Sequence, residues 1–95
     1  MSGRPQAVPT VQVDNAEVIV TEWRFAPGAE TGRNRHGHDY VVVPLTDGTL
    51  LLETPEGDRH APLVAGQAYF RKAGVEHNVI NASAHEVVFV ETEIK

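Results

Sequence analysis

The chain has 95 residues, which is enough for one domain and too few for two. Its net charge of −5, from 8 basic and 13 acidic residues, argues against a nucleic-acid surface, because phosphate binding needs clustered lysine and arginine. The absence of cysteine excludes disulfides, thiolate metal sites and cysteine nucleophiles, and no apolar run is long enough to predict a membrane span.

The first ten residues, MSGRPQAVPT, contain proline and glycine and lack the apolar stretch of a signal peptide. They show no periodic pattern, which is typical of a loosely attached segment. We therefore expect a flexible leader over residues 1–9, one domain over residues 10–95, and a cytoplasmic location.

Short runs rich in valine, isoleucine and threonine follow along the domain, separated by turn signals such as Asp47-Gly48. No window of eleven residues has a helical period. The run at 40–45, YVVVPL, is apolar at nearly every position, so we expect both faces of that strand to be covered, and Pro44 favours an edge position or a bulge. The pattern of eight or nine strands predicts an all-β sandwich or barrel. The predicted strands cover residues 10–14, 17–25, 40–45, 49–54, 59–64, 67–71, 77–81 and 86–94.

Two glycine-framed segments contain histidines, and the second of them has a regular spacing of Gly66, Gly74, His77 and Asn81. This segment resembles the second signature motif of the cupin family, which reads Gly, five residues, Pro-x-Gly, two residues, His, three residues, Asn. Lys72 stands in the place of the proline. The match at four of five fixed positions is a specific indication of that family.

The first segment resembles the other cupin motif, which reads Gly, five residues, His-x-His, three or four residues, Glu, six residues, Gly. When Gly28 and Gly48 satisfy the glycine spacing, the histidine positions fall on Asn34 and His36, and the glutamate position falls on Val41. A second register uses His36-Gly37-His38 but breaks the glycine spacing and supplies no glutamate. We favour the first register because such glycines are tied to turn geometry.

The resemblance covers about residues 17–93 and implies a small double-stranded β-helix, or jelly-roll, barrel of two antiparallel sheets. It also implies a divalent metal inside the barrel, with zinc, iron, manganese and nickel as candidates. The candidate ligands are Asn34, His36 and His77, together with His38, which could replace the imidazole that is missing at position 34. A site of three histidines would also accept copper.

The predicted pocket residues are Trp23, Tyr40 and Tyr69, because tyrosine and tryptophan combine an apolar ring with a polar group that needs a partner. Arg24 or Arg71 would favour an acidic ligand if either faced inward. His60 and His85 lie near turns and are expected at the surface, and Asn81 is expected to tie a loop to the barrel.

Two functions stay open from the sequence. The first is a small cupin whose histidine-containing pocket binds a divalent metal, a small organic ligand, or both, with no commitment to a catalytic role. The second is a metal-dependent enzyme of the dioxygenase, isomerase or decarboxylase type that acts on a small organic acid. Val41 in place of the acidic ligand favours binding over catalysis. We also expect a homodimer paired through sheet edges, with residues 10–14 able to cross to the partner.

Overall fold

The computed structural model describes residues 3–95, and this part of the chain contains nine β-strands and no helix. It therefore has no helix long and apolar enough to cross a membrane. The strands are β1 (Val8–Asp14), β2 (Val18–Phe25), β3 (Glu30–Arg35), β4 (Asp39–Pro44), β5 (Gly48–Thr54), β6 (Gly57–Leu63), β7 (Tyr69–Arg71), β8 (Glu76–Asn81) and β9 (Val87–Ile94).

The strands form two antiparallel sheets that face each other. One sheet has five strands in the order β1-β2-β9-β4-β7, and the other has four in the order β3-β8-β5-β6. The pairs β1-β2 and β5-β6 are consecutive in the chain, whereas the other neighbours are distant, so each sheet combines strands from the first and second halves of the chain. This arrangement confirms the predicted all-β jelly-roll barrel of two antiparallel sheets.

Each of the eight predicted strand ranges corresponds to an observed strand, whereas β3 was not predicted as a strand range. Its sequence, ETGRNR, has a single β-branched residue and a glycine, so it lacks the composition of a strand. Pairing with β8 holds it in place, and the register of that pair shifts between Glu30 and Arg33. Gly32 lies inside this irregularity with φ of 82°, a value that glycine adopts without strain.

Pro44 does not lie on an edge strand, because β4 lies between β9 and β7. It is the last residue of β4, and the ladder to β7 covers only positions 40 to 42. The carbonyl of Pro44 accepts a bond of 2.8 Å from the backbone N–H of Gly66, beyond the end of that ladder. The missing N–H of proline therefore removes no ladder bond, which explains why an inner strand tolerates it.

Part of the predicted leader contacts the barrel. Ala7 is 1% exposed, and its N–H donates to the carbonyl of Glu30 at 2.8 Å. Arg4 Nη1 lies 3.1 Å from Glu30 Oε1 and 3.3 Å from Glu53 Oε1. The first strand begins at Val8, and Met1 and Ser2, which belong to the predicted leader, lie outside the described residues.

The apolar core fills one part of the space between the sheets and leaves a cavity in the other. Along β9, the inward side chains change from Val87 and Phe89 in the core to Glu91 and Glu93 in the cavity wall. The buried Asn81 links the end of β8 to two other segments. Its Nδ2 donates to the backbone carbonyls of Phe25, Ala26 and His85. The change from core to cavity within a single strand determines where the candidate site lies.

Candidate functional site

A cavity of about 420 Å³ lies between the two sheets and receives side chains from both. The predicted pocket residues Trp23, Tyr40 and Tyr69 all line it. Its polar lining includes the side chains that matter for chemistry: Thr31, Asn34, Arg35, His36, Thr54, Arg59, Arg71, His77, Glu91 and Glu93.

Two histidines from different elements meet in this cavity. The Nε2 atoms of His36 and His77 are 3.1 Å apart, and the two rings are nearly perpendicular at 84°. His36 follows the end of β3 and stacks on the ring of Tyr40, with centroids 4.1 Å apart. Its backbone N–H donates to Val75 and its carbonyl accepts from Gly74, so the turn before β8 fixes its position. The structure thus brings together two histidines that are 41 positions apart.

Both histidines are held in the neutral form by their surroundings. Burial lowers the pKa of His36, against the opposing effect of Glu93. Burial also lowers the pKa of His77 to about 4, and the nearby His36 and Arg71 add to this effect. A neutral imidazole has a lone pair on one ring nitrogen, which is the form that binds a metal.

The carboxylate that the first motif lacks is present on the neighbouring strand. Val41 pairs with Thr92, whereas the flanking pairs are Tyr40 with Glu93 and Val42 with Glu91. Because side chains alternate across a strand, Glu91 and Glu93 point to the cavity side of the sheet together with Tyr40 and Val42. An acid therefore occurs beside the histidines, contributed by β9 rather than by β4.

Glu91 is 6% exposed and has two very different oxygens. Its Oε2 accepts a hydrogen bond of 2.9 Å from Trp23 Nε1. Its Oε1 lies 3.2 Å from His36 Nδ1, off the direction of a hydrogen bond, and has no hydrogen-bond partner within residues 3–95. Burial raises the pKa of Glu91 to about 7; the Trp23 bond opposes this rise and the charge of Glu93 adds to it.

One ligand atom each from His36, Glu91 and Glu93 lie within 4.8 Å of one another. The sequence prediction missed both glutamates because it sought the acid inside the first motif. The alternation in β9, VVFVETEI, carries the missing signal: the face that holds Val87 and Phe89 continues with two acids. Acids on the inward face of a barrel strand need a partner, which indicates a polar site.

The other two predicted ligands take different positions. Asn34 lines the cavity opposite His77 in the β3–β8 ladder, and its Nδ2 donates to Thr31 Oγ1 and the carbonyl of Gly32 at 3.1 Å each. His38 lies outside the cavity lining, with its Nδ1 3.1 Å from Glu93 Oε2 and its side chain 39% exposed. The prediction extended strand alternation through position 38, but β3 ends at Arg35. His60 and His85 are both exposed.

The residues present fit a divalent cation. Two nitrogens bound to one ion at about 2.0–2.1 Å can be no more than about 4.2 Å apart. The separation of 3.1 Å between His36 Nε2 and His77 Nε2 lies inside that limit. The buried Glu91 Oε1 without a hydrogen-bond partner lies beside the same pair, and an oxygen of this kind is costly unless a proton, an ion or a ligand satisfies it.

Comparison with known proteins identifies the family to which the fold belongs. The family model of the cupin domain matches residues 21–93. This chain belongs to the cupin family. It is 99% identical over 95 residues, covering all of both chains, to the beta-alanine degradation protein BauB of Pseudomonas aeruginosa PAO1.

Solved cupin structures have the same fold. A cupin domain from Bordetella pertussis Tohama I is 65% identical and superimposes with a TM-score of 0.95, covering 97% of this chain and 96% of that one. The polyketide cyclase RemF from Streptomyces resistomycificus is 18% identical, with a TM-score of 0.73 over 97% of this chain and 69% of that one. The second likeness concerns the fold alone, because many functions share this barrel.

Proposed function

We propose that this cupin holds a divalent transition metal through His36 and His77, and that the cavity around the metal binds a small organic molecule. The observation that carries the proposal is the 3.1 Å separation of the two Nε2 atoms. The lowered pKa of each histidine supports it, because both rings are then free of a second proton near neutral pH. Zinc, iron, manganese and nickel are the candidate ions.

In this proposal, Glu91 orients His36. With Nε2 of His36 directed to the metal, Nδ1 carries a proton and lies 3.2 Å from Glu91 Oε1. The two atoms are not aligned for a hydrogen bond within residues 3–95, so the proposal includes a rotation of one side chain that aligns them when the metal binds. A carboxylate that accepts from the second nitrogen of a ligating histidine fixes the ring and its tautomer. Glu93, Asn34 and His38 are further candidate ligands around this pair. A bound ion would act as a Lewis acid toward an oxygen of the organic molecule.

The organic molecule is proposed to be β-alanine or a compound formed during its degradation. The support is the name of the Pseudomonas aeruginosa relative, which is 99% identical along its full length. The cavity of about 420 Å³ accommodates a molecule of this size, and its walls carry both acids and arginines. Degradation of a small amino acid is intracellular chemistry, so the proposal includes a cytoplasmic location.

A second candidate function is catalysis on a small organic acid, of the dioxygenase, isomerase or decarboxylase type. The buried carboxyl of Glu91 favours it, because its pKa of about 7 suits a group that gives and takes protons at neutral pH. Metal-activated turnover that disappears in His77→Ala would support this function. Binding without turnover of β-alanine or related acids would leave the first function standing alone.

Metal content of protein purified without a histidine tag tests the first function. The protein is treated with chelator, incubated with Zn²⁺, Fe²⁺, Mn²⁺ or Ni²⁺, desalted and analysed by mass spectrometry. We expect about one ion per chain in the wild type and a loss of at least tenfold in affinity for His36→Gln and His77→Gln. His85→Gln is the matched control, because it removes an exposed imidazole that binds the carbonyl of Asp47.

The results that contradict the proposal are clear. No retained ion in the wild type with any of the four metals would refute a metal site. Full binding in His77→Gln together with loss in Glu93→Gln would instead place the ion between His36, Glu91 and Glu93, whose ligand atoms also lie within 4.8 Å. Circular dichroism of every variant establishes that the barrel is folded.

We also propose that the protein is a homodimer. Residues of the five-stranded sheet that point away from the cavity include Val41, Val43 and Val90, so the outer face of this sheet is apolar where solvent usually favours polar side chains. Phe70 and Ile94 on the same face are 47% and 45% exposed. The edge strand β1 is exposed along its whole length and is available to a partner. Light scattering at micromolar concentration tests this, and a monomer would refute it.

A further inference from the structure

The arginines of this protein divide into two groups. Arg4, Arg24 and Arg33 each form an ion pair with at least one glutamate. Arg35, Arg59 and Arg71 form none within the part of the chain that the structure describes, and all three line the cavity. The arginines without an acidic partner are thus the ones that face the candidate site, where a ligand could serve as the partner.

Arg71 is held in place at the cavity wall by neutral contacts. Its guanidinium carbon lies 4.5 Å from the centre of the Tyr69 ring, and Nη1 donates to the carbonyl of Phe70 at 2.9 Å. These contacts use one face and one donor of a group that has five N–H donors. The remaining donors are free to bind an anion in the bidentate manner that carboxylates favour.

Arg59 reaches the same region from the other sheet. It lies on β6, an outer strand of the four-stranded sheet, whereas Arg71 lies on β7, an outer strand of the five-stranded sheet. Both residues line the main cavity and also a second cavity of about 400 Å³ beside it. The two arginines therefore lie on edge strands, one in each sheet, and both belong to the lining that the two cavities share.

The acids of the cavity do not neutralise these arginines. Glu91 contacts Trp23 and His36, and Glu93 contacts His38. The positive charge of Arg71 nevertheless acts inside the cavity, since it contributes to the low pKa of His77. Arg71 and Glu93 lie on the same sheet, on either side of Tyr40, because Tyr40 pairs with both of them. The charges are thus separated by one strand on this wall of the cavity, and Arg59 comes from the other sheet.

We propose that Arg71 and Arg59 form a carboxylate subsite in the lining that the two cavities share, so that the ligand is a short carboxylate. The class extends to short ω-amino carboxylates, whose ammonium group would face Glu91 and Glu93 on the far side of Tyr40 from Arg71. This inference rests on the proposed function for the identity of the cavity as the ligand site. It does not depend on a bound metal, because no metal ligand contributes to the subsite.

The experiment titrates propionate, β-alanine and propylamine into chelator-treated protein at low salt. The readouts are the amide and side-chain N–H signals in nuclear magnetic resonance spectra. The indole N–H of Trp23 is a convenient probe, because the chain contains one tryptophan and this residue lines the cavity. We expect propionate and β-alanine to bind, and we expect Arg71→Gln to weaken both on the order of tenfold or more.

The variants separate the subsite from general electrostatic attraction. Arg24→Gln is the matched control, since it removes the same charge from an exposed residue that pairs with Glu22 and Glu86. It should leave the dissociation constants of propionate and β-alanine within about twofold, because exposed charges are screened by solvent. Arg71→Lys should bind more weakly than the wild type, because an ammonium group lacks the bidentate geometry.

Three outcomes overturn the subsite. The first is an equal affinity of the wild type, Arg71→Gln and Arg59→Gln for propionate. The second is no binding of either carboxylate at tens of millimolar. The third is that propionate binds only to metal-loaded protein and that Arg71→Gln does not change its affinity. This result would assign the carboxylate to the metal, so it would support the proposed function and refute the subsite. Failure of metal loading, by contrast, leaves the measurement on chelator-treated protein unchanged.

Discussion

Replacing Glu91 by glutamine should remove the dependence of folding stability on pH that the titration of this residue causes. The pKa of Glu91 rises from 4.5 to about 7 in the folded protein, chiefly because of burial. The folded state therefore binds more protons than the unfolded state between these two values. The stability linked to Glu91 is full below pH 4.5 and is lost as the pH rises through about 7. Glutamine keeps an oxygen that can accept from Trp23 but has no proton to lose.

The magnitude follows from the interval between the two pKa values. An interval from 4.5 to about 7 corresponds to roughly 3 kcal/mol of folding free energy. His77 acts with the opposite sign, because its pKa falls from 6.5 to about 4. Stability linked to His77 is present above pH 6.5 and is lost as the pH falls through about 4, and it is also roughly 3 kcal/mol.

The two effects nearly cancel in the wild type between pH 4.5 and 6.5. Glu91→Gln leaves the His77 effect alone, so its free energy of unfolding should rise by roughly 3 kcal/mol from pH 4 to 6.5 and then stay level. His77→Gln should show the reverse, with stability that falls as the pH rises from 4.5 to 7. His36, whose pKa is also lowered, adds to the rise in Glu91→Gln.

Urea unfolding at a series of pH values, in the presence of chelator and at one protein concentration, measures these slopes. The quantity to compare is the free energy of unfolding of Glu91→Gln minus that of the wild type. If this difference changes by less than about 1 kcal/mol from pH 4.5 to 8, Glu91 does not titrate as we infer. Glu86→Gln, which removes a charge from a side chain that is 57% exposed, should show no such change.

Three further predictions concern the support of the site. Asn81→Ala should destabilise the protein by about 2–4 kcal/mol in urea unfolding, because three carbonyls lose their Nδ2 donor, and a loss below about 1 kcal/mol would contradict this. Gly48→Ala should lower the free energy of unfolding by about 1–3 kcal/mol, because a Cβ at this position would lie 2.7 Å from Val87 Cγ2. Gly37→Ala is the control and should be as stable as the wild type, because a Cβ there has nothing within 4 Å. Chelator should lower the melting temperature of the metal-loaded wild type by at least about 10 °C, because an ion at a hundredfold excess over its Kd stabilises the folded state by roughly 3 kcal/mol. An equal drop in His77→Gln would show that His77 is not a ligand of that ion.

The fold could be predicted because most strands are rich in β-branched residues and are bounded by turn residues, and because β6 and β7, which have no β-branched residue, lie between clear turn signals. The polar β3 is a strand because β8 pairs with it, and such a partner is not visible in the local sequence. His36 and His77 could be predicted as neighbours because the two segments that contain them resemble the two cupin motifs, and this resemblance implies that their histidines meet inside the barrel.

The acidic part of the site could not be predicted in the same way. A motif describes positions along a strand, whereas Glu91 lies on the adjacent strand β9, paired with Val42, the residue next to Val41. Cross-strand neighbours lie as close as residues within a strand, so the acid can change strands without leaving the cavity. The prediction for His38 depended on strand alternation beyond Arg35, where the chain turns.

The position of β9 in the sheet also determines when the pocket forms during folding. β9 pairs with β2 on one side and β4 on the other, so β1-β2 and β4-β7 remain separate ladders until it inserts. Contacts between such distant parts of a chain form slowly. Glu91 and Glu93 lie on that strand, so we expect the acids to take their places in the five-stranded sheet in the same step. A refolding experiment should therefore show the indole signal of Trp23, which binds Glu91, reaching its native value together with the final β-sheet signal.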